Sequence, residues 1–340
     1  ANEAEDEVDG DHAFRIPGGY SLVIQALYDQ ALASGAVLRL NTIVATISWS
    51  TSGVEVVCTA NGNTETFKAS CVLITLPVGV MQESVQSSRS KVQRQPLTGT
   101  AGALARSDSQ ALSGDEGQAL SGAEGVVRFI PELPAAKRAA IMGVEMGDVV
   151  RIVLRFHERF WEKLSLSHHL ASRSDRGERN DHGAPAVTGD FTNLGFVHYP
   201  DAPLPNWWTL LHLRAPVLVG WSGGADAERL LAKREATTKL SLEAILSDAL
   251  KSLQMIFGIS ESELRRQLVS SHLHDWTSDP FAHGAYAYLP VNGLAAQHAL
   301  AQPIDQVLFF AGEATCVGHI GTVHGAIASG LRAAKEILSS

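Results

Sequence analysis

Apolar residues recur first at helical and then at strand spacing along the opening eighty residues of the chain. In "GGYSLVIQALYDQALASG", residues 18–35, the side chains of Leu22, Val23, Ala26, Leu27 and Ala31 fall on one face of a 3.6-residue repeat. The spacing predicts a helix that Ser21 caps and Gly35 ends. Short apolar and β-branched runs at 37–40, 43–49, 54–59 and 71–76 predict strands, with hairpin turns at Thr51-Ser52-Gly53 and Asn61-Gly62.

Between 83 and 125 the pattern lapses into Ser, Gln, Gly, Ala and Arg, and "QALSGDEG" at Gln110 is followed directly by "QALSGAEG" at Gln118. Such a composition predicts a low-complexity surface insertion, and the tandem octet is too brief for a solenoid. A second polar, charged loop is expected at 172–186. Order returns in "PELPAAKRAAIMGVEMGDVVRIVLRFHERFW", where Pro134 starts a short helix and 150–156 alternates as a strand. Val150, Ile152, Leu154 and Phe156 point one way, and Arg151, Val153 and Arg155 the other. Strands near Leu210 and over 217–221 precede a long helix predicted over 225–257, which "GWSGGADAERL" enters through a glycine-rich turn. Helices and strands interleave throughout, so the fold class is mixed α/β, in two domains between which the chain crosses back and forth.

Composition narrows the picture. A chain of 340 residues has room for two domains, since single cores rarely grow beyond roughly 250 to 300 residues. With 45% hydrophobic and 19% charged residues it reads as globular, and a net charge of −9 argues against general affinity for nucleic acid or anionic membrane. The apolar runs at 72–76 and 307–311 are far too short to span a bilayer, and no secretory signal opens the chain. Cys58, Cys71 and Cys316 form no C-x-x-C pair, which fits reduced thiols and a cytoplasmic location. The first residue is Ala1, within an acidic run, and reads as a cut or processed end.

Candidate chemistry concentrates near the C-terminus, in "LFFAGEATCVGHIGTVHGAIASG". A strand ending at Gly312-Glu313 and a helix entered through Gly321-Thr322-Val323 would leave first-turn amides free, a setting that favours an electron-rich group. Glu313 suits a sugar or polyol hydroxyl; the same residues also suit a satisfied helix start with close packing. His272 and His274 alternate, but no Cys or acidic cluster completes a metal site, so no metal is expected. A hydrolase's nucleophile elbow is not expected either.

"VLFFAGEATCVGHIGTVHGAIASGLRAAKEIL" resembles the C-terminal signature of the flavin-containing amine oxidase family, which includes monoamine oxidases, polyamine oxidases and lysine-specific histone demethylases. "PGGYSLVIQAL", "VLRLNTIVATISWSTSGVEVV" and "VLITLPVGVM" resemble the middle of its FAD domain, "PELPAAKRAAIMGVEMGDVVRIVLRFHERFW" the start of its substrate domain, and "HDWTSDPFAHGAYAYLPVNG" the return toward the flavin. The resemblance implies an FAD-binding domain over 1–80 and 294–340 and a substrate domain, with a mixed sheet and helices, over 81–293, interrupted by the insertion 84–125.

Carried onto this sequence, the family pattern implies that Glu313, beside Gly312, holds the FAD ribityl or ribose. The Thr322-Val323 backbone would meet the pyrimidine edge of the ring, and the main chain of Val44 would read the adenine. Trp276 matches a tryptophan beside the flavin, or is a plain core aromatic. Tyr286 matches an aromatic wall of the amine site, and Thr322 takes the facing position, as in the histone demethylases. That widens the cavity for a bulkier or secondary amine. Ala285 replaces the cysteine that bonds FAD in monoamine oxidases, which implies noncovalent FAD. Arg151 stands where a lysine holds a water against flavin N5, or is a salt-bridged strand residue.

The family's G-x-G-x-x-G turn is absent from the sequence. The resemblance therefore implies the C-terminal two-thirds of an amine oxidase, with a missing N-terminal segment or companion chain supplying the dinucleotide cradle. The implied reaction passes a hydride from a neutral small-molecule amine to flavin, water hydrolyses the imine to an aldehyde, and molecular oxygen is reduced to hydrogen peroxide. The alternative is a noncatalytic remnant or binding module that holds no FAD.

Overall fold

The computed structural model describes residue 16 and residues 18–92, 125–164, 191–232 and 242–340. The expected loop at 172–186 lies outside these residues, as does most of the insertion at 84–125, whose first residues extend a helix instead.

Helix α1 (Ser21–Ala33) forms where the apolar repeat predicts it, and Gly35 follows its end at a φ of +87°, the left-handed position glycine tolerates. Ser21 does not cap it. Tyr20 occupies the cap position, and the Ser21 hydroxyl instead donates to the Gly18 carbonyl at 3.4 Å. No residue of α1 is buried, and Leu22, Ile24 and Leu27 stay about half exposed. Residues 36–41 form no strand.

Strands β1 (Thr42–Ser50), β2 (Gly53–Ala60) and β3 (Asn63–Ala69) make an antiparallel meander through the two predicted turns. β4 (Val72–Ile74) leaves that sheet, and helix α2 (Val78–Val92) follows it. β5 (Arg128–Ile130) returns to pair in parallel with β1, giving the order β3-β2-β1-β5. Helix α3 (Ala135–Met142) begins just after Pro134, as expected.

β6 (Glu145–Gly147) leads into β7 (Val149–Phe156), the centre of a second sheet. β7 is flanked by β10 (Val217–Gly223) and β11 (Leu268–Leu273), and β9 (Asn206–Thr209) and β8 (Phe196–His198) complete the order β11-β7-β10-β9-β8. The alternation in β7 decides which face is covered. Val150, Ile152, Leu154 and Phe156 are buried against helices α4 (Gly224–Leu231) and α5 (Leu242–Phe257), whereas Arg151 and Arg155 are exposed. The long helix predicted over 225–257 is thus two helices, with 233–241 outside the described residues. A short helix α6 (Glu261–Gln267), capped by Ser260, precedes β11.

The chain then returns to the first half. β12 (Tyr286–Tyr288) pairs with β6, helix α7 (Leu294–Ala301) packs on α3, and β13 (Leu308–Phe310) pairs in parallel with β4. Helix α8 (Val323–Leu338) ends the fold. A second core gathers here around Ile47, Ile74, Ile141, Leu308 and Phe310, separate from the one under β7.

Lys137 of α3 stitches this core. Its Nζ donates to the carbonyls of Ala299, Leu300 and Gln302 at 2.9, 2.9 and 2.5 Å and lies 3.9 Å from the centre of the Phe310 ring. Despite those acceptors, burial and then the Arg332 charge bring its pKa down from 10.5 to about 7. Between these two values the unfolded chain holds a proton that the native chain has released, so Lys137 makes stability rise with pH across that window. Urea midpoints measured from neutral to alkaline pH are expected to rise less steeply for Lys137→Met than for the parent; parallel curves would contradict this.

Candidate functional site

β4 and β13 run in parallel, and beyond their C-terminal ends lies a cavity of about 480 Å³. Its walls are mostly apolar: Thr75, Leu76 and Pro77 after β4, Val78 and Met81 of α2, Met146 of β6, Trp276, and the turn 281–285. Its floor is Phe310 to Thr315, with Ala326 and Gly330 of α8 alongside. Glu313 is the one charged residue among the lining side chains.

The floor turns sharply. Gly312 sits at a φ of +123°, which only glycine adopts readily, and its amide donates to Ser329 Oγ at 2.9 Å, tying the turn to α8. Glu313 follows. Its Oε1 accepts from the Ala287 amide at 3.2 Å and its Oε2 from the Gly321 amide at 2.8 Å, so one carboxylate joins β12 to the segment that opens α8. Burial raises its pKa, and the two amide donors pull it partly back.

Thr322 caps α8. Its Oγ1 accepts from the Gly325 amide at 3.1 Å and donates to the His319 carbonyl at 2.6 Å. The cap needs Gly325, because a Cβ there would meet the His319 carbonyl oxygen at 2.2 Å. With Gly325 satisfied by Thr322 and Gly321 by Glu313, the first two amides of α8, on Val323 and His324, have no partner among the described residues. Both residues are exposed. The expected row of free amides is therefore narrower than the sequence implies.

Tyr286 extends from β12 across the same segment, its ring close enough that a Cβ on Gly321 would stand 3.3 Å from its Cδ2. It is half exposed, and burial of the rest raises its pKa. Tyr286 and Thr322 therefore flank one turn. Trp276 is not a core aromatic: it lines the cavity, stays 45% exposed, and stands 4.2 Å from the His274 ring. Its carbonyl accepts from the Gly284 amide, and the Ala285 amide donates to the Gly147 carbonyl, which pins the turn 276–285 beside β6.

Of the residues singled out in the sequence, Trp276, Gly312 and Glu313 line the cavity, whereas Tyr286, Thr322 and Val323 do not line it and stand around Gly321, whose amide Glu313 holds. Two lie apart. Val44 sits in β1, packed against the second core, and Arg151 lies in β7 opposite Trp221; neither lines the cavity. Arg151 makes no ion pair among the described residues, so the salt-bridged alternative is not seen. Met146 and Phe281 are lining residues that sequence reasoning missed; the break in pattern between β4 and α2, "TLPVG", was the available signal for the opposite wall.

Other candidates resolve simply. Residues 220–224, "GWSGG", do fit the spacing G-x-S-x-G, but Ser222 is fully buried inside β10, opposite Val150, where no nucleophile would reach a substrate. His274 Nε2 stands 2.9 Å from Asp279 Oδ2, and the described residues hold no group of three metal-ligating side chains. No described helix is long and apolar enough to cross a membrane.

Residues 3–112 and 117–338 match the family model for flavin-containing amine oxidoreductases. Lysine-specific histone demethylase 1 homolog 3 of Arabidopsis thaliana is 27% identical over 339 residues, covering 97% of this chain and 16% of the relative. Polyamine oxidase 4 of Oryza sativa subsp. japonica is 27% identical over 324 residues, covering 94% and 50% respectively. A solved structure of wild-type putrescine oxidase bound to putrescine superposes with a TM-score of 0.59 at 18% identity, over 93% of this chain and 52% of that one, and shares its fold. The chain thus spans half or less of the length of these curated relatives.

Proposed function

This chain belongs to the flavin-containing amine oxidoreductase family, and we propose that its cavity receives the ring of a noncovalently held FAD for the oxidation of a small-molecule amine. The observation that carries this reading is the meeting, around one apolar cavity, of the Gly312-Glu313 turn, Trp276 and Ala326 and Gly330 of α8, with Glu313 also holding the Gly321 amide just ahead of that helix.

The residues present fit the ring end of the cofactor. An apolar cavity of about 480 Å³ has room for a planar tricycle. Glu313 spends one acceptor site of each oxygen on its own chain and keeps further lone pairs for a ribityl or ribose hydroxyl. Ala285, on the cavity wall, offers no thiol for a covalent bond. For the dinucleotide end, no glycine-rich cradle occurs in the sequence.

When bound, the flavin supplies a two-electron acceptor for the hydride on the carbon next to an amine nitrogen, and dioxygen serves as final oxidant. The chain's own residues do the rest. The start of α8 places partial positive charge and two free amides toward negative charge on a ligand. Tyr286, its ionisation disfavoured by burial, stays neutral and presents a ring face and a hydroxyl to the amine, with the small Thr322 opposite.

The test is spectroscopic. The purified chain is expected to take up FAD and show the two visible flavin bands, which an amine bleaches in the absence of oxygen. A colourless preparation that takes up no added FAD contradicts the reading.

A further inference from the structure

The turn that carries Glu313 is held from behind by one face of α8. Ser329, Arg332 and Glu336 follow one another on that helix at three- and four-residue spacing, and the first two reach the chain between β13 and Glu313. The Phe310 carbonyl accepts from Arg332 Nη2 at 2.8 Å, the Ala311 amide donates to the Ile74 carbonyl at 3.0 Å, and the Gly312 amide donates to Ser329 Oγ at 2.9 Å. The Gly312 carbonyl accepts twice from Thr315, from its amide at 3.0 Å and from its hydroxyl at 2.9 Å.

Two buried hydroxyls in this set have their directions fixed. Ser329 Oγ accepts from Gly312 and donates to the Ala326 carbonyl at 2.7 Å, and Thr315 Oγ1 donates to Gly312 and accepts from Arg332 Nη2 at 3.2 Å. Glu336 holds the guanidinium in place, with each of its oxygens 3.1 Å from Arg332 Nη1. Gly312, at a φ of +123°, supplies no conformational restraint of its own, so the direction in which Glu313 leaves the turn is set by these contacts. The Ala287 and Gly321 amides fix the far end of the carboxylate, and α8 fixes its base.

We propose that Ser329 and Thr315, the latter oriented by Arg332, are positioning residues for the sugar of the flavin: they clamp the two polar groups of Gly312 so that the remaining lone pairs of Glu313 meet a ribityl or ribose hydroxyl. Thr315 lines the cavity, but its hydroxyl proton is committed to Gly312, so it acts through Glu313 and not as a donor to the ligand. The inference rests on the flavin-binding reading above and deepens it. It makes recognition of the sugar separable from recognition of the ring.

Two flavins test it: FAD, and lumiflavin, which keeps the ring but carries a methyl group in place of the ribityl chain. Binding of each to the whole chain is measured by calorimetry for the parent, Thr315→Val, Thr315→Ser and Ser329→Ala, with circular dichroism to check the fold. Thr315→Val keeps the side chain's shape and removes its hydroxyl; it is expected to weaken FAD about five- to tenfold, the effect of roughly one hydrogen bond, and lumiflavin by less than about twofold. Thr315→Ser should restore FAD binding, and Ser329→Ala should repeat the loss, which keeps the comparison open if the valine variant does not fold. Added to Glu313→Gln, Thr315→Val should weaken FAD less than it does in the parent, because both changes act on one contact. Equal weakening of the two flavins in a folded variant overturns the proposal, as do unchanged FAD binding and losses that add in full with Glu313→Gln. A parent that binds neither flavin sinks the oxidase reading and this inference with it; a parent that binds both, with variants that lose both alike, sinks this inference alone.

Discussion

Glu313→Ala is expected to destabilise the fold by about 2–6 kcal/mol and to abolish FAD retention, because it orphans two part-buried amides at about 1–3 kcal/mol each. The amides belong to Ala287 in β12 and to Gly321, just ahead of the Thr322 cap, so both flanks of the cavity lose the same anchor. Glu313→Gln retains one acceptor and turns an NH2 toward the other amide, so its cost should lie between those of the alanine variant and the parent. Urea unfolding read alongside bound-flavin absorbance checks both effects, and an unchanged midpoint in the alanine variant would contradict them. The pH dependence has a definite sign. Burial raises the Glu313 pKa above its ordinary 4.5, so between that value and the folded one the native chain holds more proton than the unfolded chain. Stability from this group therefore falls as pH rises through that window, and Glu313→Gln should lack the fall.

Trp207→Ala should cost about 3–5 kcal/mol, the range for emptying a fully buried tryptophan site. Its indole Nε1 donates to the Leu204 carbonyl at 2.9 Å, and its ring fills the space above Gly220, where a Cβ would stand 2.7 Å from Cη2. No neighbour on β10 can move into the vacated volume without breaking the sheet. Because Trp207 belongs to the core under β7, apart from the one around Ile74 and Phe310, the loss should appear in a thermal melt while flavin retention below the melting range persists. A melt unchanged from the parent, or flavin lost at low temperature, would count against this separation.

The five-stranded sheet around β7 was legible because its signal is periodic. Alternation from Val150 to Phe156 predicts both the strand and its covered face, and burial follows it residue by residue. Turns were legible for the same local reason, at Asn61-Gly62 and before α4. Features that depend on distant partners were not. Residues 37–40 have strand composition but no neighbour to pair with, so they stay irregular. Ser21 has a capping residue's chemistry, yet the turn at Gly19 and Tyr20 starts the helix one position too early for it. "GWSGG" has an elbow's spacing, but spacing says nothing about exposure, and Ser222 is sealed in the sheet.

The candidate site divides along the same line. The Gly312-Glu313 turn and the α8 opening are contiguous in sequence, so reading them together required only local geometry. Trp276 and Tyr286 come from a turn that returns to them across the fold, and the family resemblance pointed to them where periodicity could not. Arg151 and Val44, the latter expected at the adenine end, do not line the cavity.

Hydrogen–deuterium exchange with and without added FAD tests the central claim most directly. If the ring settles at the opening of α8, the backbone amides over 310–326 should exchange more slowly when FAD is present, with a second protected stretch at 75–78. Uptake of FAD with no slowing over 310–326, or with protection confined to other parts of the chain, would contradict the account.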